Sequence, residues 1–155
     1  GRGPRMIGLV DDGLGRITIP WRRVSRVTFN LHEATESDSM LQEADAFRPI
    51  EGVVEARDGR RLEGRIRWDN DHEFGWETLE AHIGDVALDV DFSAIRAVVR
   101  DTVGGVRLHL ADGRVLEVDA AGDLGPGNSG LFVRESSRPT RLIRWSDVSR
   151  VEFWP

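Results

Sequence analysis

Ile19-Pro-Trp21-Arg-Arg-Val24-Ser-Arg-Val27-Thr-Phe29 and Ile143-Arg-Trp145-Ser-Asp-Val148-Ser-Arg-Val151-Glu-Phe153 carry Ile, Trp, Val, Ser-Arg, Val and Phe in the same register. A third stretch, Val90-Asp-Phe92-Ser-Ala-Ile95-Arg-Ala-Val98, keeps the apolar positions. In each copy an aromatic residue closes one run of alternating apolar and polar residues, and Val or Ile opens the next after a short turn. Alternation with period two is the mark of a half-buried strand. The copies therefore predict a strand, a tight aromatic turn and a second strand, a closing half repeated three times. Large apolar side chains at fixed strand positions usually fill an interior, so the aromatic residues are expected in the core.

A second repeat lies outside these copies. Asp58-Gly59-Arg60-Arg61-Leu62-Glu63 matches Asp112-Gly113-Arg114-Val115-Leu116-Glu117, each set inside alternating residues. Asp-Gly between such runs predicts a hairpin with a type I′ turn, because both residues tolerate positive φ. The chain then divides into residues 1–48, holding closing strands within 6–29 and a polar connection, and two full units at 49–100 and 101–155. Capping residues ahead of helix formers in Ser37-Asp-Ser39-Met-Leu-Gln42-Glu43 predict a short helix near 37–46. Three closing halves accompany two hairpins, so the first closing half lacks one.

Composition narrows the chemistry. The chain has 155 residues, no Cys and no Tyr, and every basic residue is Arg. Disulfides, thiol nucleophiles, thiolate metal sites and Schiff-base lysines are all excluded. A formal charge of −6 repels polyphosphates on average, which disfavours nucleic acid as a partner. No apolar run approaches the roughly 20 residues of a transmembrane segment.

Hairpin, variable middle and strand-turn-strand closure together resemble the Sm-like and SH3-like small barrels. Gly64-Arg-Ile66-Arg-Trp68-Asp69 is similar to the Gly, apolar, aromatic, Asp part of the first Sm motif. Arg144-Trp145-Ser146-Asp147 lacks the Arg-Gly of the second, so the resemblance implies the fold and not the RNA pocket. The chain also resembles, nearly end to end, an uncharacterised group of bacterial proteins, often exported. That likeness rests on Gly64 to Glu73 and on Gly122-Asp123-Leu124-Gly125-Pro-Gly-Asn128-Ser-Gly130. It implies a periplasmic or secreted location and a first closing half that has its own hairpin upstream. By that likeness the chain is the later portion of a longer protein, or its N-terminal strands are completed by something else. No activity is implied.

Three clusters are candidates for chemistry. Asp69, Asp71, Glu73, Glu77 and Glu80 follow the oxygen-ligand rhythm of a Ca²⁺ loop, although Phe74 stands where such a loop needs Gly. A solvated acidic turn is the plainer account. Gly127-Asn128-Ser129-Gly130 matches a short protease-like nucleophile segment, but Ser129 has no His in a suitable preceding motif and the string is ordinary turn chemistry. His72 and His82 stand alone in the sequence, and His109 alternates with Leu108 and Leu110 on a strand, which points it to solvent or to a neighbouring module. Arg65 and Arg67 share one strand face and, with Arg141 and Arg144, form a candidate interaction surface. Cross-strand pairing with Glu and Asp is the alternative.

The expectation is thus an all-β protein of tandem small barrels that is not an enzyme. It would serve as a structural or protein-interaction module, with a protein partner or self-association at open strand edges. A Ca²⁺-dependent binding or adhesion domain and a tandem Sm-like nucleic-acid-binding protein are the alternatives.

Overall fold

The computed structural model describes residues 5–29, 48–69 and 71–155. These residues form antiparallel strands and three-residue 3-10 turns, with no longer helix among them. The helix expected near 37–46 lies outside the described residues. The strands are β1 (Met6–Asp11), β2 (Gly15–Pro20), β3 (Glu51–Ala56), β4 (Arg61–Trp68), β5 (Thr78–Ile83) and β6 (Val86–Asp91). They continue with β7 (Ile95–Arg100), β8 (Val106–Leu110), β9 (Val115–Val118), β10 (Leu131–Arg134), β11 (Arg141–Ile143) and β12 (Val148–Phe153). No helix among the described residues is long and apolar enough to cross a membrane.

The three aromatic turns share one backbone geometry. Pro20, Asp91 and Arg144 precede them at φ/ψ of −59/134°, −59/134° and −62/144°. Trp21, Phe92 and Trp145 each open a 3-10 turn, and Val24, Ile95 and Val148 each donate a backbone N–H to that aromatic residue's carbonyl. The outcomes then diverge. The second and third turns lead into β7 and β12, whereas Val24–Phe29 forms no strand. The expected closing strands within 6–29 are therefore β1 and β2 alone.

Both Asp-Gly hairpins form, but with a different turn from the expected type I′. Gly59 and Gly113 take φ of 89° and 93°, while the aspartates before them do not have positive φ. Gly59 N–H donates to Ala56 O (3.0 Å) and Ala56 N–H to Arg60 O (2.8 Å), and the same pair of bonds recurs between Leu110, Gly113 and Arg114. This is a turn ending in a glycine bulge. The physical reason is local: each Asp carboxylate accepts the backbone N–H two residues on, at 3.0 Å in both hairpins. An Asx turn of this kind competes with the mirror-image turn.

Two antiparallel sheets result, neither closed into a barrel: β1-β2-β6-β5, and β11-β10-β4-β3-β12-β7-β8-β9. Pairing crosses the boundary between residues 49–100 and 101–155. β12, the last strand, pairs with both β3 and β7, β10 pairs with β4, and β7 pairs with β8. The sheets meet where Asp119 N–H, just past β9, donates to His82 O on β5 (2.8 Å). Their apolar faces share one core containing Trp68, Phe92, Trp145 and Phe153. Trp68 is at its centre, 5.3 Å from Trp145 and 5.7 Å from Phe92 between ring centroids. On the outer face, Glu51 lies opposite Arg65 and Glu55 opposite Arg61, with N–O distances of 3.6 Å in both pairs.

Gly52 and Gly64 face each other across β3 and β4, and each is pressed on its other side. A Cβ on Gly52 would lie 2.0 Å from Glu152 O of β12, and one on Gly64 would lie 2.2 Å from Arg134 O, next to a φ of 150°. Backbone on both sides cannot yield as a side chain would. Gly64→Ala is expected to destabilise the chain by about 3 kcal/mol or more in urea denaturation, from strain plus steric overlap. Gly127→Ala, where a Cβ meets nothing within 4 Å, is expected to be nearly silent.

Candidate functional site

β4 ends in Trp68, whose indole is fully buried and donates from Nε1 to Asp123 O (3.1 Å). The chain then turns sharply at Asp69, which takes a φ of 55°, a conformation Asp tolerates better than most residues. Asp69 N–H donates to Gly130 O (3.0 Å), and its carboxylate accepts Ser129 N–H (3.0 Å). Asn128, the one polar side chain buried among the described residues, donates to Asp123 O (2.8 Å) and accepts Gly130 N–H (2.7 Å). Trp145 Nε1 donates to Leu124 O (3.2 Å). The two segments that carried the bacterial resemblance thus meet as one anchor between β4 and β10. Gly127–Gly130 serves there as turn scaffold.

The acidic series does not gather. Trp68 and His72 exchange backbone hydrogen bonds of 2.7 and 3.2 Å, closing the chain after Asp69 into a tight turn. Glu77 accepts the backbone N–H groups of Glu73 (2.5 Å) and Phe74 (2.8 Å). Glu73 lies 3.7 Å from Arg67, Asp71 lies 3.5 Å from His72, and Glu80 on β5 lies 2.9 Å from His82. Among the described residues no three of His, Asp and Glu converge to hold a metal ion. The Ca²⁺ rhythm of Asp69, Asp71, Glu73, Glu77 and Glu80 is broken because turn and strand formation spends these carboxylates on separate partners.

The arginines also separate. Arg65 and Arg67 lie on the face of β4 that pairs with Arg134 and Phe132, and Arg67 stacks on the Phe132 ring at 4.4 Å. Arg141 sits opposite Val133 on β11, and Arg144 precedes the third aromatic turn. His109 is half-buried on β8.

The first closing half is the feature that departs most from its copies. Ile7 lies opposite Ile19 as Leu131 lies opposite Ile143, which makes β1 the counterpart of β10 and Leu9 that of Val133. Leu9 is 43% exposed where Val133 is 0%, Trp21 54% where Trp145 is 3%, and Phe29 92% where Phe153 is 5%. The residue types are alike and the burial is not. β10 is flanked on its outer side by β4, whereas β1 pairs only with β2 among the described strands. Residues 5–29 also carry five arginines against two aspartates in an acidic chain. The sequence signal for this site was the missing third hairpin.

Two outcomes check the anchor. Asn128→Ala leaves the Gly130 N–H without its partner and Asp123 O with the Trp68 indole alone, and is expected to cost about 1–3 kcal/mol in denaturant unfolding. Asp123 has its carboxyl pKa raised, chiefly by burial. Glu80 N–H and the nearby His72 oppose the shift, while the carboxylates of Glu80 and Asp71 add to it. A carboxyl pKa raised on folding means the native state binds the proton more tightly, so stability falls as pH rises through that pKa. Asp123→Asn, which keeps an acceptor for Glu80 N–H, is expected to gain thermal stability relative to the parent as pH rises from 4 to 7. Melting curves across that range measure the difference. No family model matches the chain, and no curated protein or solved structure matches it.

Proposed function

We propose that this chain is a non-catalytic protein-interaction module that receives a partner's β-structure at its N-terminal closing half. The observation that carries the reading is the contrast in burial between Leu9, Trp21 and Phe29 and their counterparts Val133, Trp145 and Phe153. An apolar side with an unpaired strand edge is the arrangement that β-augmentation uses, because backbone groups supply affinity and alternate side chains supply fit. The tandem small-barrel reading has support in the strand order. β3 and β4 lie among β10, β11 and β12, while β8 and β9 lie beside β5, β6 and β7. On that reading each of these closing halves has one hairpin, and β1, β2 and Val24–Phe29 are the closing half without one. Against an enzyme stand the contacts of the candidate acids and bases, which serve turns and pairs rather than a shared cleft.

A peptide of residues 48–69, which carries the β3–β4 hairpin, is the probe. In the free chain, outward-facing β1 amides are expected to exchange hydrogen rapidly. With the peptide at about ten times its Kd, their exchange is expected to slow by about tenfold. The exposed substitution Leu9→Asp is expected to remove this protection without unfolding the chain. Amides of β1 as protected as those of β4 in the free chain, or exchange unaffected by the peptide, would overturn the proposal.

A further inference from the structure

Arg100, at the end of β7, lies over the Trp145 ring with its guanidinium carbon 4.4 Å from the ring centroid. Its Nη1 donates to Trp145 O and, at 3.4 Å, to Val148 O. The side chain is therefore fixed in place by a ring and two carbonyls, none of which carries a negative charge. Burial, and then the nearby Arg57 guanidinium, push its pKa down. Beside it opens a cavity of about 400 Å³ whose lining includes Arg100, Arg144, Ser129, Ser146, Leu142 and Trp145. No Asp or Glu lines it. Arg57 donates to Asp101 O (3.2 Å), and none of Arg57, Arg100 and Arg144 forms an ion pair among the described residues. This is unusual in a chain with 27 acidic residues, because a partly desolvated cation is ordinarily given a counter-ion.

We infer that the cavity takes its counter-ion from outside, as the carboxylate of a small ligand with an apolar body. A guanidinium held by stacking, with Nη1 already committed to two carbonyls, is prepared to give a carboxylate a charged hydrogen bond, and its ordering cost is already met within the fold. Arg144 and Ser146 also line the cavity and could share the charge. The exposed Leu142 gives the rest of the ligand an apolar surface, and the volume suits a small molecule. A singly charged carboxylate fits better than a phosphate, since the overall charge of −6 opposes a dianion more strongly. This site lies apart from the β1 edge and does not depend on strand pairing there.

Titration of the ¹⁵N-labelled chain with N-acetyl-leucine, N-acetyl-leucinamide and inorganic phosphate tests the site. The Trp145 indole N–H and the Arg100 Nε–H are the signals to follow. N-acetyl-leucine is expected to shift both signals saturably, and the amide to bind at least about tenfold more weakly, the loss of one charged hydrogen bond. Arg144→Gln, at an exposed position, is expected to weaken N-acetyl-leucine by a similar factor, and Arg100→Lys to do the same by removing the stacked guanidinium. A short peptide ending in Leu with a free C-terminus separates the two sources of carboxylate. Tighter binding than N-acetyl-leucine assigns the site to peptide ends, equal or weaker binding to free acids, and both uphold it. Binding of the amide as tight as the acid, binding of phosphate in preference to both, or N-acetyl-leucine affinity unchanged in both variants would overturn it.

Discussion

The hydrogen bond from the Trp68 indole to Asp123 O ties the end of the first Asp-Gly hairpin to a segment more than fifty residues later. Around it stand the other anchor bonds: Asp69 to Ser129 and Gly130, Asn128 to Asp123 and Gly130, and Trp145 to Leu124. These contacts satisfy main-chain groups of the 122–130 segment beside a ring cluster, where unmet groups would be costly. They reinforce the register of β4 against β10, which the pairing of Leu131–Arg134 with Arg65–Trp68 also carries. The aromatic packing of Trp68 on Trp145, Phe92 and Phe153 then follows from where the anchor places the indole.

Strands from distant parts of the chain interleave in the large sheet. β3 lies between β4 and β12, so the middle of the large sheet cannot be completed until the last strand of the chain arrives. Closing such non-local pairs costs loop entropy before the contacts repay it, which is expected to make folding slow beside a fold of consecutive strands. The local turns lower that cost. Both Asp-Gly hairpins and both completed aromatic turns are held by bonds between near neighbours, so they can form before the long-range pairing.

Much of this was legible in the sequence, and the rest was not for definite reasons. Aromatic turns, hairpin positions and strand alternation are local, so the matched strings around Trp21, Phe92 and Trp145 located them. The all-β class followed. Which hairpin pairs with which closing half is not a local property, because the copies share one alternation and any of them could in principle align with any other. Trp21 is exposed for the same reason: its residue type and turn match Trp145, but burial needs a neighbouring strand, and none lies there among the described residues. The acidic series from Asp69 to Glu80 had the right spacing and the wrong backbone, since a tight turn and a β-strand divide it. Arg100 left no motif at all, because its contacts come from a turn that begins at Trp145, far along the chain.

The β1 edge and the rest of the molecule differ in how they are guarded. Exposed edges are commonly protected by charge, by proline or by being short. β11 at one end of the large sheet is only three residues long and begins with Arg141. The edge at β9 is also short and lies against β5 through Asp119 and His82. β1 has six residues, Met6-Ile-Gly-Leu-Val-Asp11, with no charge before its last position and no proline. Its far side is well fixed. Leu14 is buried, β2 pairs with β6, and Arg114 reaches from the second hairpin to Asp11 at 2.5 Å. A strand that is firmly mounted, with no partner on its outer edge among the described residues, is suited to pairing, because the receiving backbone loses little freedom when a partner strand is added.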